Sequence, residues 1–103
     1  MRKHRKLVEY GGQIPIMYFK EGGMFIWYSP VLDLPTCGLT FEEAEKNFQE
    51  ALQIFFQECL KRGTLEEALA SYGWQKSRLA HPTWQPPLLV GSESMSVPVS
   101  ARN

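Results

Sequence analysis

Aspartate is almost missing from this chain of 103 residues: Asp33 is the single one. A lone carboxylate of that kind cannot hold the two metal ions of a hydrolytic centre, and its expected role is to bond turn amides. Histidine is nearly as scarce. His4 lies among basic residues at the start and His81 beside Pro82; neither stands at ligand spacing from Cys, Asp or Glu, so no zinc site is expected. The two cysteines, Cys37 and Cys59, make neither a metal spacing nor a disulfide framework. Reduced thiols fit a cytoplasmic setting. Phosphate-cradling glycine motifs and a nucleophile elbow are also absent from the sequence. The chain is therefore expected to be no enzyme, with no catalytic residue, no cofactor and no metal. Net charge is missing too: 11 Lys and Arg balance 11 Asp and Glu, which removes the electrostatic case for a whole-surface nucleic-acid binder. No apolar run approaches the ~20 residues that cross a bilayer. No apolar stretch with a cleavage site follows the basic start, so neither membrane nor secretion is expected.

What is present reads as one globular domain. The apolar fraction is 44% and the aromatic fraction 13%, ordinary for a folded protein. Charge is uneven: Arg2, Lys3, Arg5 and Lys6 are four of the 11 basic residues, so the rest carries seven Lys and Arg against 11 Asp and Glu, about −4. Residues 1–12 are expected to be a flexible basic arm. Residues 13–20 and 24–29 are β-branched and aromatic, and Glu21-Gly22-Gly23 joins them as a hairpin turn. Both faces of that hairpin are apolar. A helix explains one; the other needs a second cover, such as a third sheet layer or a partner chain. Pro30 ends the second strand, and Asp33 to Gly38 reads as a turn.

Thr40-Phe41-Glu42-Glu43 has the form of a capping box. Phe41, Ala44, Phe48, Ala51, Leu52, Phe55, Phe56, Cys59 and Leu60 follow in steps of three and four, the stripe of an amphipathic helix. Gly63 is its expected cap. A second box, Thr64-Leu65-Glu66-Glu67, opens a short helix that Gly73 closes, after which Trp74 folds back. Residues 75–87, with Pro82, Pro86 and Pro87, read as a loop with Trp84 as an anchor. Met95, Val97 and Val99 then alternate with Ser94, Ser96, Pro98 and Ser100, an expected edge strand with one wet face. The expected fold is α+β, a small antiparallel sheet packed on one long and one short helix.

One string of residues resembles a known family. Pro30-Val31-Leu32-Asp33-Leu34-Pro35-Thr36-Cys37-Gly38-Leu39-Thr40, then Glu42-Glu43-Ala44, Asn47 and Glu50-Ala51-Leu52, looks like the HicB-like antitoxin domain. The likeness spans about residues 13–72, with 13–74 as the core domain and 75–103 as a proline-rich loop and edge strand. The resemblance implies a partly degenerate RNase-H-like domain without catalysis, the antitoxin of a type II toxin-antitoxin system. It implies a homo-oligomer, dimer or tetramer, that masks a small HicA-like mRNA-cleaving toxin. Residues 75–103 are too short and too proline-broken for a helix-turn-helix, so DNA binding is doubtful in this short form. The residues expected to meet a partner are Tyr18, Trp27, Asp33, Met95, Val97 and Val99. Two alternatives stand beside this reading: an orphan HicB-like oligomer, and a weak RNA-binding module that uses Tyr18, Trp27 and Tyr28 as a stacking platform.

Overall fold

A computed structural model describes residues 13–78 and 83–100, together with the backbone of residues 9–10. It is α+β, as the sequence implies: a three-stranded antiparallel sheet, a long helix, a short helix and a second small sheet. Strand β1 (Glu9–Tyr10) is followed by β2 (Met17–Glu21) and β3 (Met24–Ser29). β2 and β3 form the expected hairpin, with Glu21 opposite Met24. Its loop is Gly22-Gly23, and Gly22 supplies the positive φ, 60°, that a two-residue hairpin loop requires.

The segment after β3 departs from expectation. Only residues 30–33 turn; β4 (Leu34–Gly38) then runs back antiparallel to β3, with Cys37 opposite Ile26 and Pro35 opposite Tyr28. Pro35 is tolerated because the strand order is β2-β3-β4, which leaves β4 at an edge where a missing amide disrupts no second ladder. Asp33 closes the turn in the left-handed region, φ 48°, a conformation that Asp and Asn accept more readily than most residues.

Helix α1 (Phe41–Arg62) begins as its capping box predicts. Thr40 Oγ1 accepts from Glu43 N–H at 3.0 Å, and the Glu43 carboxylate reaches back to Leu39 N–H at 3.4 Å. Gly63, at φ 70°, ends it: its N–H bonds Leu60 O, and Thr64 N–H bonds Cys59 O, the paired bonds of a Schellman cap. That second bond explains why Thr64 does not cap α2 (Leu65–Ser71). Its backbone, at ψ 7°, is not extended as an N-cap must be, and its hydroxyl makes no capping bond. Gly73 (φ 88°) repeats the Schellman pattern at the far end, with Gly73 N–H on Ala70 O and Trp74 N–H on Leu69 O. The turn swings Trp74 onto the body, where its indole N–H donates to Val31 O at 2.8 Å.

Residues 75–87 are not simply a loop. β5 (Gln75–Lys76) pairs antiparallel with β6 (Thr83–Gln85), and β1 adds parallel on the other side of β6. Glu9 and Tyr10 are thus strand rather than arm; residues 1–8 of the expected arm lie outside the described residues. Glu66 of α2 ties this sheet down, accepting from the Trp84 indole at 3.1 Å and from Lys76 at 3.4 Å.

Two apolar clusters meet along α1. Trp27, Ala44 and Phe48 are buried between the main sheet and the front of the helix. Val31, Leu32, Leu65, Leu69, Trp74 and Trp84 are buried around its rear and α2, and Ile14, Leu34 and Leu52 touch both clusters. Leu60, which the stripe includes, is 58% exposed. The expected strand Met95–Val99 does not form: from Pro86 to Ser100 the chain is irregular and joins no sheet. Among the described residues its alternating pattern pairs with no strand.

Candidate interaction surface

Successive strand residues point to opposite faces, and α1 covers only one face of the main sheet. On the covered face Trp27 is 7% exposed and packs against the rings of Phe41 and Phe48, at 5.3 and 5.9 Å between centroids. Phe25 meets Phe41 edge-on at 6.3 Å, and Lys20 lies 5.5 Å over the Phe25 ring. The helix presses so close that Gly38 has no room for a side chain: a Cβ there would sit 2.5 Å from Ala44 N. Two side-chain bonds fasten the layers, Asn47 Nδ2 to Cys37 O at 2.8 Å and Thr36 Oγ1 to Ala44 O at 3.2 Å. The Trp27 indole N–H and the Ser29 hydroxyl are buried there without a hydrogen-bond partner.

The opposite face holds Met17 and Phe19 of β2, Met24, Ile26 and Tyr28 of β3, and Pro35 and Cys37 of β4. None of them belongs to either buried cluster. Met17 is 40% and Phe19 49% exposed. Glu21 is the one charged strand residue on this face, so the surface is a contiguous apolar patch with a polar rim, the character of a protein-binding site. At the rim, Tyr28 donates its hydroxyl to Asp33 Oδ1 at 2.8 Å. That bond, with some burial and the negative carboxylate beside it, holds the Tyr28 phenol above its ordinary 10.0. This arrangement can bind a complementary apolar surface and orient it by one hydroxyl–carboxylate pair; among the described residues no group of His, Cys, Asp and Glu is placed to hold a metal ion.

The residues expected to meet a partner separate into four places. Trp27 is core, and packing against α1 replaces the contact expected of it. Tyr18 is 56% exposed at the β2 edge on the helix side, 4.8 Å from Trp27 and 5.0 Å from Phe41. Asp33 is exposed at the rim of the open face, and its observed bond is to Tyr28 rather than to turn amides. Met95, Val97 and Val99 are 82%, 78% and 75% exposed on the irregular tail. The supposed stacking platform is divided, since Trp27 and Tyr28 point to opposite faces and Tyr18 sides with Trp27. Met17, Phe19 and Ile26 were not singled out by sequence reasoning; counting by two from Tyr28 finds Ile26, and the register across the Gly22-Gly23 loop, which sets Met17 opposite Tyr28 and Phe19 opposite Ile26, finds the other two.

A shallow cleft of about 460 Å³ lies away from this face, between Gln13–Pro15 and Gln85–Leu89. No described helix is long and apolar enough to cross a membrane. The chain matches no family model, no curated protein and no solved structure.

Proposed function

We propose that this chain is a HicB-like antitoxin, a non-catalytic cytoplasmic module that binds and masks a small HicA-like mRNA-cleaving toxin. Two things support the reading. One is the string from Pro30 to Thr40 with Glu42-Glu43-Ala44, on which the resemblance rests. The other, which carries it physically, is the apolar sheet face of Met17, Phe19, Ile26 and Tyr28 left open opposite α1. A face of this kind costs solubility unless a second protein covers it. Masking needs only such a face, because blocking access to an RNA-binding surface requires contact rather than chemistry.

Co-expression tests the proposal. A neighbouring reading frame that encodes a small basic protein is expected, and that protein is expected to arrest growth alone and to be silenced by the present chain. Ile26→Asp, which puts a charge in the middle of the open face, is expected to abolish both rescue and co-purification while the circular dichroism spectrum stays that of a folded α+β chain. Absence of a complex and of rescue by the unaltered chain refutes the proposal. A salt titration separates it from RNA binding: a complex held by apolar contact survives moderate salt, whereas a phosphate-driven one weakens steeply.

A further inference from the structure

The tail carries a second, independent signal. From Pro86 to Ser100 no strand or helix forms, yet six large apolar side chains, Leu88, Leu89, Val90, Met95, Val97 and Val99, are each 58% exposed or more. Together they expose on the order of 800 Å², about what one partner contributes to a stable protein interface. The exit from the body is stiff. Pro86 and Pro87 fix two consecutive φ angles, and the Pro87 ring sits so near Gly73 that a Cβ there would meet its Cγ at 3.4 Å.

We propose that Met95–Val99 of one copy adds as a strand to the free edge of β2 in a second copy, and that the reciprocal addition makes a two-fold dimer by exchange of arms. β2 is the edge that fits. Among the described residues it pairs with β3 on one side only; it has five residues to match the five from Met95 to Val99, is exposed throughout, and contains no proline. The opposite edge, β4, has Pro35 in its second position, which removes a donor and protects that edge from pairing. The small sheet offers strands of only two and three residues.

Pro98 fixes how the arm must lie. In an extended strand the backbone groups of alternate residues point to opposite edges, and Pro98 has no N–H to give. Even-numbered residues therefore turn their backbone away, and Met95, Val97 and Val99 present theirs to β2. The side chains of those three residues also share one face. The backbone groups at the free edge of β2 are those of Tyr18 and Lys20, since Met17, Phe19 and Glu21 turn theirs to β3. In a parallel ladder, whose bonding residues are offset by one, Met95 and Val97 then lie beside Met17 and Phe19 and extend the apolar row of the open face, and Ser96 falls on the helix side near Tyr18. The Val99 N–H, which bonds Val97 O at 3.0 Å in the unpaired tail, is released to the ladder. The inference requires no toxin and goes beyond the antitoxin reading.

Sedimentation equilibrium on the full chain tests it. The expected mass is twice the 11.8 kDa of one chain, and deletion of residues 92–103 is expected to return a folded monomer. Val97→Pro removes a donor that the ladder uses and is expected to weaken the dimer about tenfold or more. Ser96→Pro, whose amide points away with that of Pro98, is expected to change it less than about twofold, since the lost donor is unused. Both positions lie outside the folded body, so thermal melting of the body serves as the control. A monomeric full chain, a dimer that survives the deletion, or equal effects of the two prolines each overturns the proposal. A deletion that keeps the dimer but loses capture of the toxin assigns the arm to the toxin, which refutes arm exchange and leaves the antitoxin reading standing.

Discussion

The two faces of the main sheet are built from the same kinds of residue and meet opposite fates. Phe25, Trp27 and Tyr18 line one face; Phe19, Ile26 and Tyr28 line the other. Phe25 and Trp27 of the first set are closed over by Phe41, Ala44 and Phe48 of α1, with Tyr18 left 56% exposed at the β2 edge, and no helix of the described chain covers the second. Apolar character alone therefore does not say where the core is. What decides is which face lies toward the helix, and here the chain from Ser29 through β4 to Thr40 decides it. Asp33 turns the chain back, β4 extends the sheet, and Gly38 lets the first turn of α1 descend onto one side. A single helix then leaves the other side uncovered among the described residues.

Truncation on either face measures that difference most directly. Phe48, 3% exposed under Trp27, is expected to cost about 3–5 kcal/mol on Phe48→Ala, the usual range for a buried aromatic that leaves a cavity. Phe19→Ala, in dilute solution without a partner, is expected to cost about 1–2 kcal/mol, because Phe19 is already 49% exposed and the ring gives up about half the buried area of an enclosed one. Urea unfolding of both variants checks the pair; equal losses would mean that the two faces are alike after all.

A smaller effect sharpens how the helix chooses its side. Gly38→Ala puts a methyl against backbone atoms, 2.5 Å from Ala44 N and 2.9 Å from Glu43 C. These are the two atoms of one peptide bond in α1's first turn, and helix backbone cannot swing aside as a side chain does, so the cost is expected near the upper end of the about 1–3 kcal/mol of overpacking. A melting temperature unchanged from that of the unaltered chain would show that α1 sits farther from β4.

Local chemistry made much of this legible in the sequence. The hairpin follows from Gly22-Gly23 between two aromatic runs, and α1 from a capping box, a periodic stripe and a glycine stop, all of which act within a few residues of themselves. The uncovered sheet face was legible as well, since the hairpin is apolar at both parities. β4 was not, because Asp33, Pro35 and Gly38 carry turn chemistry; they serve a strand only because it lies at an edge and under a helix. Strands β5 and β6 exist through pairing with each other and with β1, which no short window contains. Thr64 failed as a cap because α1's own terminus had already claimed its backbone. Trp27 and Tyr28, neighbours in sequence, could be assigned to opposite faces by parity, but which of the two went inward depended on α1. The alternation at Met95–Val99 is real, but a period of two states only that a strand would have two unlike faces, and among the described residues this segment pairs with no strand.

The least of the expected effects concerns the single polar fastening on the open face. Tyr28 donates to Asp33 only while its phenol is protonated. Ionisation would break the bond and set two negative charges side by side, so the folded chain holds this pKa above the ordinary 10.0, the hydrogen bond to Asp33 being the largest cause. A group raised on folding contributes stability that is full below its unfolded value, and that contribution is lost as pH climbs through the folded value. Nothing is therefore expected to change at neutral pH, and the pair is expected to loosen only above pH ~10. Asp33→Asn keeps a residue that tolerates φ 48° while removing the charge. Difference absorbance of tyrosinate, with Tyr28→Phe subtracted to isolate the signal, is expected to place Tyr28 above 10.0 in the unaltered chain and closer to it in the variant. An identical midpoint in both would detach Tyr28 from Asp33 and leave the open face without any polar register at its rim.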